Sequence, residues 1–366
     1  MRTRSNRRGS AAVVRLLRSP QHYPERPRRI EVIETHFAWI FLADSYAYKL
    51  KKPVCRGRMD YRTIAARKRV CRDEVILNRR LAPETYLGVI PIARASDGTL
   101  TLGRSGHGRV VDWVVKMHRL PAERMLDRAI VERHVHKQDL QALVALLTRF
   151  FDAAVRQPMS ANRYIEHLAA RITQNQRDLC SPQLGLNQPL VTRITRMQFA
   201  FLAEHAASVG ARAKHLIDGH GDLRPEHVYL GSETQRPCVI DCLEFDPQLR
   251  WLDPGEEMAF LAMECRMLGA RALSRALLAR YRSATLTPPD SSLMDFYTSQ
   301  SALTRAKLAA WHLHDPEFAR HAAAWRARVQ RYLLMAARFI SRANHHREPE
   351  IVRAPQTHLP EMTSSA

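Results

Sequence analysis

In the second half of the chain, His220-Gly221-Asp222-Leu223-Arg224-Pro225-Glu226-His227 runs into the apolar Val228-Tyr229-Leu230, and a polar turn from Gly231 to Arg236 leads on to Val239-Ile240-Asp241. Apolar strand, polar turn and apolar strand specify a hairpin. A hairpin folds the chain back on itself, so Asp241 is expected beside the loop from Asp222 to His227. Two carboxylates facing one site suit phosphoryl transfer. One orients an attacking hydroxyl and accepts its proton, while the other holds a divalent metal against nucleotide phosphates.

The loop resembles the H-G-D-x-x-x-x-N catalytic loop of the aminoglycoside phosphotransferase and choline kinase relatives of protein kinases, and Asp241 resembles the metal-binding aspartate of the kinase D-F-G segment. More narrowly, the chain resembles the kinase-like half of bacterial aminoglycoside phosphotransferase family proteins, which often carry a second, P-loop ATPase domain. The resemblance runs from about Ile30 to about Arg342. It implies a two-lobed, protein-kinase-like α+β fold, ATP and Mg²⁺ as donor and cofactor, and catalysis by Asp222. One position departs from the pattern. Where such kinases place an asparagine whose side-chain oxygen meets a metal, this chain has His227. A neutral imidazole offers a softer nitrogen, less suited to magnesium than an amide oxygen. His227 is therefore open to three readings: a metal ligand with Asp241, a group that orients a phosphate, or a loop histidine bonded to a carboxylate.

Upstream, Glu31 to Leu42 reads as β structure, and Ala43-Asp44-Ser45 turns it into a second strand, Tyr46 to Lys51. Strand alternation puts Tyr46, Tyr48 and Leu50 on one side and Ala47, Lys49 and Lys51 on the other. The Ala47-Tyr48-Lys49 end matches the A-x-K of the kinase strand whose lysine meets the α- and β-phosphates, which selects Lys49, with Lys51 as rival. No G-x-G-x-x-G loop precedes it. Thr63 to Leu81 has helical periodicity, with Val70, Glu74, Leu77 and Leu81 on its inward stripe. A carboxylate on an apolar face needs a cation, because burying it alone costs several kcal/mol or more. Lys49 is the expected partner of Glu74, while Asp73 and Glu84 would face solvent. Tyr86 to Ile92 and Val110 to Met117 read as further strands. Val115 to His118 is expected to be the linker that meets adenine through backbone groups, with Lys116 and Met117 as nucleotide-binding positions.

Beyond Pro121 the pattern turns helical, apart from the hairpin. Asp253, followed by Pro254 and by Glu256 three residues on, reads as a helix cap. These boundaries give a basic flexible arm at 1–29, an N-lobe at 30–118, a helical C-lobe with the catalytic loop at 119–342, and a flexible tail at 343–366. No P-loop motif occurs, so the second ATPase domain of the longer relatives is expected to be missing.

Composition bounds the alternatives. The net charge of +21, from 57 basic against 36 acidic residues, is spread from end to end with no aromatic-interleaved stripe. It admits a nucleic-acid-binding protein but does not favour one. No apolar run is long enough to span a bilayer, and the six cysteines lack C-x-x-C pairing, which reads as reduced structural thiols in a soluble cytoplasmic protein. The expected activity is ATP-dependent transfer to a small-molecule hydroxyl. The arginine excess points to a neutral or anionic acceptor and away from a polycationic aminoglycoside. The rival classes are a kinase-fold protein that binds ATP with little turnover and the basic nucleic-acid binder.

Overall fold

The structure, a computed structural model, describes residues 2–57, 59–103, 108–314 and 321–345. In chain order its helices are α1 (Arg2–Leu17), α2 (Ile64–Asn78), α3 (Leu126–Val131), α4 (Lys137–Ala153), α5 (Ala161–Leu179), α6 (Gln188–Glu204), α7 (Ala206–Ala211), α8 (Pro254–Met267), α9 (Arg271–Ala284), α10 (Ser291–Trp311) and α11 (Ala322–His345). The strands are β1 (Ile30–Glu34), β2 (Ala38–Ala43), β3 (Tyr46–Lys51), β4 (Cys55–Arg56), β5 (Met59–Asp60), β6 (Tyr86–Arg94), β7 (Leu100–Leu102), β8 (Arg109–His118), β9 (Ile217–Asp218), β10 (Val228–Tyr229), β11 (Cys238–Val239) and β12 (Trp251–Leu252).

The N-terminal lobe is an antiparallel sheet in the order β1-β2-β3-β8-β6-β7, with a helix on each face. Strand alternation explains why both helices are needed. Tyr48 and Leu50 of β3 cluster with Phe41, Val114 and the α1 residues Val13, Leu16 and Leu17. Ala47 points the other way and joins Cys71 and Val75 of α2. Covered on both sides, β3 is buried along nearly its whole length. Thr63 starts α2 by accepting from the Ala66 N–H at 3.1 Å, and Val70 and Glu74 lie on its buried face as the periodicity predicts.

The stretch expected as a flexible arm over 1–29 departs from that reading. It forms α1 and a short turn in which Tyr23 is also buried. Val13, Leu16 and Leu17 are spaced i, i+3, i+4, which makes one apolar stripe, and that stripe covers the outer face of the sheet. Of the tail expected over 343–366, residues 343–345 finish α11 and the rest lies outside the described residues.

The C-terminal lobe is helical around α8, which is buried on nearly every side. One face of α8 (Ala259, Met263) joins the core of α5, α6, α10 and α11. Its other face (Met258, Leu261, Ala262) packs on α4 and on the β10–β11 hairpin through Val228 and Val239. Asp253 caps it, accepting from the Gly255 N–H at 2.7 Å and pairing with Arg212 at 2.5 Å. The cap forms as expected, but Glu256 turns to Arg171. No described helix is long and apolar enough to cross a membrane.

Candidate active site

The hairpin pairs Val228 with Val239 and Tyr229 with Cys238, and the Ile240 N–H reaches back to the His227 carbonyl at 2.9 Å. That register sets Asp241 against the catalytic-type loop. His227 lies between the two aspartates: Nδ1 is 3.7 Å from Asp222 Oδ2 and Nε2 is 3.5 Å from Asp241 Oδ2. Nδ1–H donates to the Asp222 carbonyl at 2.9 Å, and Nε2 accepts from Arg224 Nη2 at 3.1 Å. These bonds engage both ring nitrogens, with Nε2 on the Asp241 side.

Two backbone features tune the loop. Gly221 has φ +82°, and a Cβ there would press on Leu243, Arg250 and the Leu249 carbonyl, so the turn into Asp222 needs glycine. Asp241 itself is left-handed at φ +63°. Aspartate tolerates this conformation better than most residues. The strain is held from the N-lobe, because the Asp241 N–H donates to Tyr86 Oη at 3.1 Å and the Cys242 N–H to Asn78 Oδ1 at 2.8 Å.

The loop is fastened from beneath by residues the sequence reading did not single out. Glu257, near the start of α8, accepts from the His220 and Gly221 N–H groups at 2.7 and 2.6 Å. Burial pushes its carboxyl up to about 7, against the two hydrogen bonds that pull it down. His220 is buried and driven down to about 3, mainly by desolvation and then by His227. It stays neutral and donates from Nε2 to the Ile240 carbonyl at 2.9 Å, bridging the two arms of the site. Arg224 bonds Asp222 at 3.0 Å and Glu226 at 2.5 Å. Burial alone would raise the Asp222 carboxyl, but Arg224 and then His227 outweigh it and lower it. Glu257 escapes a sequence reading because its contact spans 36 residues; a glutamate at a helix start reads as a dipole partner. Arg224 lies inside the motif, and only its geometry marks it out.

From the N-lobe, Lys49 pairs with Glu74 Oε1 at 2.8 Å and also touches Asp241 Oδ1. Lys51 takes the other Glu74 oxygen at 2.7 Å and Glu244 at 2.6 Å. The expected lysine to glutamate pair therefore forms, with both candidate lysines sharing one carboxylate. Only Lys49 reaches Asp241. Desolvation would lower its ammonium, but Asp241 and Glu74 hold it well above the ordinary value. Asp241 is lowered by Lys49 and His227 despite burial that would raise it. Glu84 faces solvent as expected, while Asp73 is half-buried and burial raises its carboxyl.

The stretch from Val115 to His118 is not a linker. It is the end of β8, where Ala47 pairs with Met117 and Tyr48 with Lys116, because strands on both sides continue the ladder to its end. Register sends the two side chains to opposite faces. Met117 lies on the Ala47 side, in an apolar cluster with Leu120, Met125, Tyr229 and Ile240. Lys116 points outward, over the Tyr46 ring at 4.3 Å and onto Glu25. The crossing between lobes falls at Arg119 to Pro121, where the Arg119 N–H bonds the Ser45 carbonyl at 2.8 Å.

The solved structure of a microcompartment-associated aminopropanol kinase superposes over 90% of this chain and 98% of its own length, with TM-score 0.50 and 17% identity. The chain has the protein-kinase-like fold. A choline/ethanolamine kinase family protein from Mesorhizobium loti covers the same 90% of the chain at 13% identity and TM-score 0.49. In sequence, uncharacterized proteins of Mycobacterium tuberculosis and Mycobacterium bovis are each 33% identical over 283 residues, covering 76% of this chain and 54% of the relative. The kinase-like chain thus spans about half the length of the curated relatives it matches. No family model matches it.

Proposed function

We propose that this chain transfers the γ-phosphoryl group of ATP to a hydroxyl of a small molecule. The observation that carries the reading is the convergence of Asp222 and Asp241 on opposite nitrogens of His227, with the Lys49–Glu74 pair ending on Asp241. The base would rest in the apolar cluster under the sheet, against Ala47, Met117 and Ile240. Tyr229 Oη, buried there with no hydrogen-bond partner among the described residues, suits a ligand that brings a polar edge.

Lys49, held by Glu74, would steady the nucleotide phosphates. Asp222 would orient the acceptor hydroxyl and take its proton as the new O–P bond forms and the bond to the β-phosphate oxygen breaks. Arg224, between Asp222 and Glu226, places a fixed positive charge beside the point of transfer. Asp241 supplies a carboxylate, and His227 Nε2, 3.5 Å from it, would add its lone pair on release from Arg224 Nη2. That set fits a divalent ion completed by water and phosphate oxygens, which would neutralise phosphate charge when bound. Arg224 and Arg305 both lower the Asp222 carboxyl, and cations on that side favour a neutral or anionic acceptor over a polycation.

The test is nucleotide binding measured with and without divalent metal, followed by an acceptor screen. Asp241→Ala should abolish metal-dependent ATP binding. Asp222→Asn should bind ATP nearly as well as the parent while transfer falls by roughly two to four orders of magnitude. ATP binding indifferent to Asp241→Ala overturns the site. Retained ATP binding with no turnover on any acceptor favours the kinase-fold binding protein instead.

A further inference from the structure

The far end of α8 carries a second concentration of charge that phosphoryl transfer does not use. Arg266 stands in the last turn of that helix, nine residues beyond Glu257, which places it roughly 14 Å along the axis from the catalytic loop. Around it lies a cavity of about 250 Å³ lined also by Arg275 of α9 and by Arg338 and Arg342 of α11. A second cavity of about 250 Å³ shares the wall formed by Arg266, Arg338 and Phe339 and adds Arg271 and Arg331.

The cations are poorly compensated. The acid lining these cavities, Asp295, is engaged by Arg342 at 3.1 Å, and Arg331 is bonded to the Met267 carbonyl. Among the described residues, Arg266, Arg271, Arg275 and Arg338 pair with no carboxylate. Arg266 and Arg342 flank the Phe339 ring at 5.3 and 5.1 Å, which fixes two guanidinium groups without neutralising them. Burial and then the neighbouring arginines, Arg338 first, pull the Arg266 guanidinium below its ordinary value. A helix C-terminus accounts for one cation in its last turn. It does not account for arginines from three helices gathered, mostly exposed, around the rims of two partly apolar hollows.

We infer that this arginine-lined pair of cavities is a binding site for a compact, multiply phosphorylated small molecule, separate from the phosphoryl-transfer site. Guanidinium groups meet phosphate oxygens in bidentate pairs. Each hollow, at about 250 Å³, lies just under the range of drug-sized sites, about 300 to 1,000 Å³, which suits a compact ligand. Arg275, Arg338 and Arg342 stand exposed at the rim, and the floor between them is closed by the buried Ala262, Ser274 and Thr298, an enclosure for a compact ligand, whereas a nucleic-acid backbone needs cations set along an open track.

The probe is inorganic tripolyphosphate, titrated calorimetrically into the full chain in EDTA so that no metal-dependent nucleotide site competes. Arg266→Gln with Arg338→Gln should weaken binding at least tenfold, while Lys49→Met should leave it within twofold. Without ligand, the arginine double variant should melt at or above the parent temperature, because removing like charges relieves repulsion. Arg275→Gln, which trims one wall only, should weaken binding severalfold and guards against misfolding of the double variant. Binding unchanged in both arginine variants, or lost in Lys49→Met instead, overturns the proposal. So does a lower melting temperature in both, which would make the arginines supports of the fold. Displacement by a short duplex oligonucleotide at concentrations below those of tripolyphosphate would assign the cluster to nucleic acid and equally overturn it.

Discussion

The two halves of the candidate site handle charge in opposite ways. On the N-lobe side, Lys49, Lys51, Glu74 and Glu244 form an alternating network taken almost wholly out of water, with the Glu74 side chain 0% exposed. On the C-lobe side, Asp222 and Glu226 share Arg224, His227 lies between Asp222 and Asp241, and the Asp241 side chain is 41% exposed. A dry, paired network holds geometry, and breaking it leaves an uncompensated buried charge. A wet, incompletely paired set holds little of the fold and leaves lone pairs for a ligand. The N-lobe half should therefore register mutations as stability, and the C-lobe half as chemistry.

The largest expected effects break that comparison most directly. Glu74→Ala removes the carboxylate that two buried lysines share, leaving Lys49 with Asp241 and Lys51 with Glu244, and should destabilise the protein by about 3 kcal/mol, read by urea denaturation. Asp222→Asn should leave the denaturation midpoint nearly unchanged while transfer drops as described above. If Asp222→Asn cost as much stability as Glu74→Ala, the division between a structural and a chemical half would be wrong.

Glu257 sharpens the comparison, because it is a buried carboxylate on the C-lobe side with no ion pair among the described residues, held by two backbone N–H groups. Its carboxyl is raised from the ordinary 4.5 to about 7, so between those values the folded chain holds a proton that the unfolded chain has released. Stability from this group is complete below about pH 4.5 and is lost as pH rises through about 7. Glu257→Gln carries no such dependence. The advantage of the parent over this variant should shrink by on the order of 3 kcal/mol between pH 4.5 and pH 8, and groups common to both, such as His220, cancel in the difference. A gap that is constant with pH would mean that Glu257 is ionised throughout.

What the sequence made legible follows from the range of the interactions involved. Asp222 and Asp241 were readable because a hairpin is a local object, and Lys49 with Glu74 because an acid on an apolar stripe demands a cation. Glu257 was not, since it fastens segments that meet only after the C-lobe packs, and of His220 the motif showed the position but not the bond to Ile240. The α1 helix was misread for a different reason. Its arginines dominate the composition, and the Val13, Leu16, Leu17 stripe is short, yet half of a sheet core rests on it. Continuation of β8 through His118 was hidden as well, because strand length depends on the neighbours Tyr46 and Tyr86 that pair with it.

A smaller effect is expected at His227. His227→Asn keeps an N–H able to reach the Asp222 carbonyl and replaces the imidazole lone pair with an amide oxygen, the better donor for magnesium. Mg²⁺ affinity, followed through nucleotide binding, should rise and Mn²⁺ affinity should fall, each within about one order of magnitude. A loss of both metals together would place His227 among the supports of the loop and remove it from the ligand set.

The smallest effect concerns the encounter with the acceptor. Arg224 and Arg305 act on Asp222 from the C-lobe side, within a chain carrying 57 basic against 36 acidic residues. Their field should draw an anionic hydroxyl compound and slow a polycation. Because screening shortens the reach of such a field to about 10 Å at 0.1 M salt, kcat/KM for an anionic acceptor should fall a few-fold as salt rises, with kcat nearly constant. A neutral acceptor should show a flat profile, and an aminoglycoside should improve with salt from a low starting value. The same titration on Arg224→Gln tells local from global charge, since a local origin predicts loss of most of the slope and a global origin leaves it. Efficient phosphorylation of an aminoglycoside at low salt would contradict the electrostatic reading of the acceptor side while leaving the roles of Asp222 and Asp241 standing.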